Sequence, residues 1–273
     1  RISMRECINK ENQKQYWDEI SDMYAGITKI SMDDFHYGPQ IPGESDLKLL
    51  PKFSSGMTAL ELGSGAAQNS IFLNKKFGMN CIAMDISEER IKNAQELCSA
   101  EGAEVELCVA GFENFLEALK QAGHGGEQFD FVHSSHAIEF VQDPATIVKQ
   151  MTSVLKPGGT LMLSTVHPLF NGEWLTNVVE DEEGNELEES GQFITNYFEP
   201  PDDVRDENGL HVVSRAHPIS NWFDWLTAAG LTITALKEPA AIIDAPYSSA
   251  DWADHDGQLD TIPSTLIKEK KKA

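Results

Sequence analysis

The stretch that most constrains the fold of this chain is residues 58–65, TALELGSG. Residues 58–62 form a short apolar run without helical periodicity, which predicts a buried β-strand. Gly63 and Gly65 interrupt the run, and residues 66–77 then carry an apolar set that suits a helix packed on a sheet. Glycine has no Cβ atom and tolerates unusual dihedral angles, so this strand, turn and helix bring the backbone close to a ligand.

A second apolar segment, residues 80–85, ends on an acidic residue, Asp85. A carboxylate at the end of such a strand can accept hydrogen bonds from both hydroxyl groups of a ribose. The first half of the chain therefore predicts a nucleoside site at the carboxyl edge of a parallel sheet.

Two classes of ligand fit this arrangement. A dinucleotide site needs Gly-x-Gly-x-x-Gly, in which the third glycine allows the helix to pack closely on the strand, but Gln68 occupies that position. Glu61, the Gly63–Gly65 turn and Asp85 together resemble motifs I and II of class I S-adenosylmethionine-dependent methyltransferases. Residues 155–159, LKPGG, before a predicted fifth strand at 160–166, are a frequent signature of the same family, and their own role is to form a turn.

The resemblance implies where the cofactor S-adenosylmethionine is held. In the family the glycine turn lies against the methionine end of the cofactor, and the second acid binds the ribose. Many members carry an aspartate where this chain has Gly111, so Phe112 or Glu113 is expected to replace it at the adenine. The predicted cofactor contacts are Glu61, Gly63, Ser64, Gly65, Asp85, Ile86, Phe112, Glu113, Ser134 and Tyr24.

Histidines supply the candidates for a catalytic base. Residues 129–133 predict a fourth strand, and the residues that follow it, 134–136, should reach the same crevice because the ends of parallel strands share one edge. His136 is therefore the first candidate, with His167 and His217 next. The Asn-Pro-Pro-Tyr or Asp-Pro-Pro-Tyr motif of base-modifying amino methyltransferases is missing at this place, which argues against methylation of adenine in nucleic acid.

Two segments flank or interrupt the repeating strand–helix pattern. Residues 10–30 predict a helix with one apolar face, within an N-terminal cap at 1–50. Residues 169–208 contain thirteen acids and one base, and aromatic residues bracket them. We expect an insertion at 168–216 that forms a β-hairpin or an extended lid over the crevice, within a methyltransferase domain at 51–273.

Bulk properties exclude several classes of protein. The net charge of −23 predicts repulsion from nucleic acid and from anionic membranes. The sequence contains no run of 18 or more apolar residues, the length that a membrane-spanning helix needs. No signal-type segment is visible at the N-terminus. Cys7, Cys81, Cys98 and Cys108 show no metal or disulfide spacing, which predicts reduced residues in a cytoplasmic protein without a metal.

The combined interpretation is an α/β protein with the three-layer Rossmann-like methyltransferase fold. We expect a mostly parallel seven-stranded sheet with an antiparallel edge strand, formed by residues 231–236 and 264–268 as the last pair. The resemblance implies transfer of a methyl group to a small-molecule acceptor by a monomer or homodimer. A nicotinamide oxidoreductase and a non-catalytic cofactor-binding subunit are the alternatives, and the accepting atom stays open. Acidic residues near the site favour a cationic or amine acceptor as one hypothesis.

Overall fold

The computed structural model describes residues 10–170, 173–249 and 264–271. Its helices are α1 (Lys10–Glu19), α2 (Ser21–Ile27), α3 (Glu44–Leu47), α4 (Gln68–Phe77), α5 (Glu88–Glu101), α6 (Phe115–Gln121), α7 (Pro144–Ser153) and α8 (Ile219–Ala228), with a 3-10 helix at Ile138–Phe140. Its strands are β1 (Thr28–Ile30), β2 (Thr58–Leu62), β3 (Asn80–Asp85), β4 (Val105–Val109), β5 (Phe129–Ser135), β6 (Leu155–Thr165), β7 (Glu173–Glu180), β8 (Glu186–Phe193), β9 (Asp203–Glu207), β10 (Leu210–Ser214), β11 (Leu231–Lys237), β12 (Tyr247–Ser249) and β13 (Thr265–Lys271).

The central sheet has seven strands in the order β11-β13-β6-β5-β2-β3-β4. Strands β2 to β6 pair in parallel, and β13 pairs antiparallel with both β6 and β11. This confirms the predicted seven-stranded, mostly parallel sheet and the antiparallel pair at its edge. The antiparallel strand itself is β13, which lies one position inside the edge strand β11.

The sheet is covered on both faces, which gives three layers. Alternate residues of β2 point to opposite faces, so Leu60 and Leu62 join one apolar cluster while Ala59 joins the other. The first cluster includes Trp222 of α8 together with residues of α6 and α7, and the second includes Phe35 and residues of α4. Burial of both faces explains why the parallel strands appear in the sequence as apolar runs.

The ends of the helices follow local chemistry where a side chain can cap them. Ser87 caps α5, because its Oγ accepts a hydrogen bond from the backbone N–H of Arg90 at 3.1 Å. No side chain caps α8, which begins at Ile219 after Pro218. The single helix predicted at 10–30 divides into α1 and α2 and then continues as β1.

The LKPGG segment lies within β6 rather than forming a separate turn before it. Gly158 has φ of +77°, and the register with β5 shifts between Phe129 and Phe131. A Cβ atom on Gly159 would lie 2.9 Å from the carbonyl oxygen of Lys156. The glycines therefore allow a kinked strand start, because the chain passes close to its own backbone there.

The acidic insertion forms two antiparallel hairpins, β7–β8 and β9–β10. The second hairpin packs on the N-terminal cap, where Val212 contacts Tyr16 and Ile20 in a small apolar cluster. Within the described parts of the chain, no helix has the length and apolar character needed to cross a membrane. Cys81 and Cys98 are buried and Cys108 is half-buried, all as free thiols, whereas Cys7 lies outside the described residues.

Candidate active site

A cavity, partly open to solvent, lies at the carboxyl ends of β2, β3, β4 and β5. The glycine turn, the strand ends and the N-terminal cap supply most of its walls. The lining residues are Gln13, Trp17, Tyr24, Ile30, His36, Gly63, Ser64, Gly65, Ala66, Gln68, Asp85, Ile86, Arg90, Ala110, Gly111, Phe112, Glu113, Ser135, His136, Ala137, Phe140, Val141 and Tyr247.

The glycine turn forms the floor of the cavity. Gly63 has φ of +69°, and a Cβ atom there would lie 2.3 Å from the Cβ of Ala137. Gly65 has φ of +56°, but a Cβ atom there would meet only the Arg90 side chain, at 3.7 Å. Gly63 is thus required by close packing as well as by its backbone angle, whereas Gly65 is required by its backbone angle alone.

Asp85 ties the turn to the next helix. One carboxylate oxygen accepts a hydrogen bond from the Gly65 N–H at 2.8 Å, and the other accepts one from the Ser87 N–H at 3.0 Å. Burial raises the pKa of Asp85 above its usual value, while the nearby Arg90 charge and these hydrogen bonds oppose the rise. Each oxygen keeps further lone pairs, so the carboxylate can still accept hydrogen bonds from a ligand in the cavity.

Ile86, Phe112 and Glu113 line one side of the cavity beyond Asp85. A Cβ atom on Gly111 would lie 3.3 Å from the Ile86 side chain and 3.5 Å from a Glu113 oxygen. These side chains therefore enclose a narrow space with an apolar surface and a carboxylate at its rim. This geometry suits a flat heterocycle, such as the adenine that the resemblance implies beside Phe112 or Glu113.

Two predicted cofactor contacts lie behind the cavity wall. Glu61 is 2% exposed, and its carboxylate accepts hydrogen bonds from the backbone N–H and the hydroxyl of Ser70 in α4. Burial raises the pKa of Glu61 to about 8. Ser134 is also buried away from the cavity, and its neighbour Ser135 lines the wall instead. The alternation of side chains along a strand brings only one of two successive residues to a given face.

Of the three candidate bases, His136 alone lines the cavity. Its φ of +49° is uncommon for a residue with a side chain, and its Nδ1 lies 3.5 Å from the Glu139 carboxylate. A Cβ atom on Gly38 would lie 2.2 Å from the His136 ring, so the N-terminal cap packs tightly against the histidine. His136 is therefore held between the cap and the 3-10 helix.

The other two candidate bases lie outside the cavity. His167 is buried, with its Nε2 2.9 Å from Glu238 and its Nδ1 accepting a hydrogen bond from the Leu169 N–H at 3.2 Å. His217 packs edge-on against Trp222 and Trp225, and burial lowers its pKa. Neither histidine reaches the predicted site, because each side chain contacts neighbouring residues elsewhere in the fold.

Trp17 and Tyr24 of the N-terminal cap, together with Phe140 and Tyr247, form an aromatic wall of the cavity. Tyr24, a predicted cofactor contact, lies in this wall, and its hydroxyl is hydrogen-bonded to the hydroxyl of Tyr247. The Arg90 guanidinium stacks over the Tyr24 ring at 4.2 Å, and Trp17 contacts Phe140 with ring centroids 5.2 Å apart. These contacts connect the cap, α5 and the 3-10 helix around one space.

Sequence reasoning missed His36, Arg90 and Tyr247 as residues of the site. Tyr247 reaches the cavity because β12 pairs with β1, which lies more than two hundred positions earlier in the chain. No local pattern signals that pairing. Arg90 had a usable signal, since it lies one helical turn into the helix that follows Asp85.

A model of the methyltransferase domain family matches residues 53–209, more than half of the chain. The chain belongs to this methyltransferase family. The matched region contains the glycine turn, Asp85 and His136, and extends into the second hairpin of the insertion. The match confirms the resemblance to class I methyltransferases, whose cofactor is S-adenosylmethionine.

Two curated relatives of the chain are both named as ubiquinone biosynthesis O-methyltransferases. The ubiquinone biosynthesis O-methyltransferase of Methylococcus capsulatus is 34% identical over 113 residues, which cover 41% of this chain and 45% of that protein. The mitochondrial ubiquinone biosynthesis O-methyltransferase of Homo sapiens is 26% identical over 252 residues, or 86% of this chain and 64% of that protein. The chain thus spans between about half and two thirds of the length of these relatives.

A solved structure confirms the architecture. The structure described as a putative S-adenosylmethionine-dependent methyltransferase from Listeria monocytogenes superposes with a TM-score of 0.63 at 20% identity, covering 83% of this chain and 95% of that chain. At this identity the likeness establishes the fold. Within the described residues, no group of three or more His, Cys, Asp or Glu side chains is arranged to hold a metal ion.

Proposed function

We propose that this chain transfers the methyl group of S-adenosylmethionine to a small-molecule acceptor. The observation that carries the proposal is the cavity, which joins the glycine turn, Asp85 and His136 in one space beneath the aromatic wall. The turn and the acid are the parts that the family uses for the cofactor. His136 and the wall then surround the remaining space, where an acceptor would bind.

The residues present fit the cofactor. Asp85 lines the cavity beside the turn, and its two carboxylate oxygens, each with one backbone N–H partner, keep lone pairs for the two hydroxyls of a ribose. Ile86 and Phe112 supply apolar surface for the adenine, with Glu113 at its rim. The Ser64 hydroxyl is buried and has no hydrogen-bond partner among the described residues, so it is available to the methionine end.

When bound, S-adenosylmethionine supplies a methyl group that is already activated. The main task of the protein is then to hold two reactants in line, which can contribute roughly 7–11 kcal/mol to the barrier reduction. The aromatic wall serves this task by excluding water and fixing the acceptor. The hydrogen bond between the hydroxyls of Tyr24 and Tyr247 joins two parts of this wall.

A base contributes if the accepting group must lose a proton, typically about 10²–10⁴-fold. His136 remains our candidate from the sequence for this step, because it lines the cavity and lies beside the Glu139 carboxylate. A carboxylate next to an imidazole orients the ring and stabilises its protonated form. Neither His167 nor His217 is proposed for this role.

Oxygen is our proposed accepting atom. The support is that both curated relatives described above are named O-methyltransferases of ubiquinone biosynthesis. The net charge of −23 supports a small acceptor over nucleic acid, since a phosphate backbone would be repelled. The amine hypothesis raised by the acidic composition has less support, because the lining acids lie beside the turn and the adenine space.

The domain organisation and the assembly also remain proposals. We propose that the cap at 1–50 and the insertion at 168–216 act on one methyltransferase domain at 51–273, the cap as a wall and the insertion as its support. No described residue of the insertion lines the cavity, so its expected role as a direct lid has less support than a role behind α1. The cytoplasmic location and the monomeric or homodimeric state are predictions, which cell fractionation and light scattering measure.

Calorimetry with S-adenosylmethionine and with NAD tests the cofactor assignment. We expect micromolar binding of the first and none of the second. Release of S-adenosylhomocysteine in the presence of phenols, amines, thiols and carboxylic acids then tests turnover. Binding of NAD alone would refute the proposal, and cofactor binding without turnover on any acceptor would favour a non-catalytic subunit.

A further inference from the structure

His36 is a buried polar group that the family assignment leaves without a role. It lies in the loop between β1 and α3, is 7% exposed, and its ring lines the cavity. Its Nδ1 is buried and has no hydrogen-bond partner within the described residues. A buried nitrogen without a partner is costly, so such a group is normally completed by a ligand or an ordered water molecule.

Asn69 fixes the main chain of His36 on both sides. The Asn69 Oδ1 accepts a hydrogen bond from the His36 N–H at 2.9 Å, and its Nδ2 donates to the His36 carbonyl at 2.9 Å. The Ser135 hydroxyl donates to the same carbonyl at 3.3 Å. Asn69 is fully buried in the first turn of α4, directly after the glycine turn, so one helix start positions both the turn and His36.

The groups around the His36 ring keep it neutral. The Tyr247 ring lies edge-on to it with centroids 5.1 Å apart, and His136 faces it from the end of β5, with Glu139 behind. Burial, and secondly the His136 ring, lower the pKa of His36 to about 3. A neutral imidazole has one N–H donor and one acceptor nitrogen, so a single ring nitrogen can either donate to a hydroxyl oxygen or accept its O–H, according to the tautomer.

The walls near His36 favour a flat, uncharged acceptor. Trp17, Tyr24 and Phe140 present ring surfaces on which a planar molecule can stack. An ammonium group would need a carboxylate, but the lining carboxylates Asp85 and Glu113 lie on the nucleoside side. A carboxylate acceptor would need a cation, and the lining Arg90 is stacked on Tyr24 next to Asp85.

We propose that His36 hydrogen-bonds the hydroxyl group of a planar acceptor, a phenol or an enol, and so orients it, with Asn69 as a positioning residue. The inference rests on the proposed function and names the acceptor class of the same site. The proton itself goes to His136, the base proposed above: the O–H bond of the acceptor breaks, its electron pair stays on oxygen, and a new N–H bond forms on the His136 imidazole. Glu139, whose carboxylate lies 3.5 Å from the His136 Nδ1, then offsets the charge of the resulting imidazolium.

Nuclear magnetic resonance of histidine-¹⁵N-labelled protein, saturated with S-adenosylhomocysteine, tests this without relying on turnover. The probes are phenol, benzylamine and benzoate, which share one ring and differ in the attached group. Comparison with His36→Gln assigns the His36 signals, and His124, paired with surface acids, is the internal control. We expect phenol alone to shift the His36 ring signals, and His36→Gln to weaken phenol binding by roughly tenfold, as for one lost hydrogen bond.

Asn69→Ala and Asn74→Ala are a matched pair for the positioning role. Asn74 lies in the same helix and also bridges backbone groups, donating to the Met79 carbonyl at 2.9 Å and accepting from the Glu104 N–H at 3.0 Å. Both variants should lower the melting temperature to a similar extent. Only Asn69→Ala should lose the phenol-induced shift of the His36 signals, because only that variant frees the His36 main chain.

The outcomes separate the two proposals. Normal binding of S-adenosylmethionine with His36 signals that ignore phenol, or that respond equally to benzylamine, overturns the inference and leaves the proposed function standing. Equal loss of the phenol response in both asparagine variants overturns the positioning role of Asn69. Failure of the wild-type chain to bind S-adenosylmethionine would overturn the proposed function, and the inference with it.

Discussion

Replacing Gly63 with alanine should separate the packing requirement of the glycine turn from its backbone requirement. The backbone at Gly63 has φ of +69°, and an added Cβ would lie 2.3 Å from the Cβ of Ala137. A left-handed backbone costs an alanine about 1–2 kcal/mol. Overpacking against a neighbour that cannot move freely adds roughly 1–3 kcal/mol. We therefore expect Gly63→Ala to lose about 2–5 kcal/mol of the free energy of unfolding.

Gly65→Ala is the matched control, because it has the same type of backbone angle without the clash. Its φ is +56°, and the nearest atom to an added Cβ is a flexible Arg90 nitrogen at 3.7 Å. The expected loss is the backbone cost alone, about 1–2 kcal/mol. In thermal unfolding, a chain of this size should lose roughly 5–15 °C with Gly63→Ala and about half of that or less with Gly65→Ala.

A double-mutant cycle tests the cause directly. Ala137→Gly removes the atom that the new Cβ would meet, so Gly63→Ala combined with Ala137→Gly should recover the packing part of the loss, about 1–3 kcal/mol. Chemical unfolding of the four proteins gives the coupling free energy. Additive effects, or a Gly63→Ala variant as stable as Gly65→Ala, would refute the proposed contact between the turn and the end of β5.

Three further predictions concern charges and caps around the site. Asp85→Asn should weaken S-adenosylmethionine binding by about tenfold or more, since it removes a charged acceptor, and calorimetry measures this loss. The pKa of Glu61 rises from 4.5 to about 8, so the native state holds a proton that the unfolded chain releases, and this contribution to stability is lost as pH rises from 4.5 through 8. Glu61→Gln should therefore gain stability relative to wild type between pH 5 and pH 8, by at most roughly 4–5 kcal/mol. Urea unfolding measures the free energy of unfolding of both proteins across this range, and a difference that does not change with pH would contradict the reasoning. Ser87→Ala should cost about 1 kcal/mol through loss of the α5 cap, with a further loss from its hydrogen bond to Asp18, and urea unfolding checks the sum.

Local patterns were sufficient for the parts of the site that lie close together in the chain. A strand, a turn and a second strand were predicted from the apolar run at 58–62, the two glycines and Asp85. The structure contains all three, and the Asp85 carboxylate accepts a hydrogen bond from the Gly65 N–H. Backbone geometry at a glycine turn depends on neighbouring residues, so local sequence carries the information. The same holds for the Ser87 cap, which acts over one helical turn.

Direction of a side chain at the end of a strand was less predictable. Glu61 and Ser134 were expected at the cofactor, but they turn into the protein, where Glu61 meets Ser70. The strand period of two decides that neighbouring side chains face apart, but it does not decide which face holds the ligand. The packing of α4 on β2 makes that choice.

The sequence by itself determined the layered fold, the cofactor turn and the acid beside it, because these depend on periodicity and on residues a few positions apart. The tertiary structure alone decided which histidines reach the cavity and which residues close it. His36 is positioned by Asn69, 33 residues later, and Tyr24 meets Tyr247 across 223 positions. Contacts between residues so far apart in the sequence arise from the packing of the whole chain, so no local pattern predicts them.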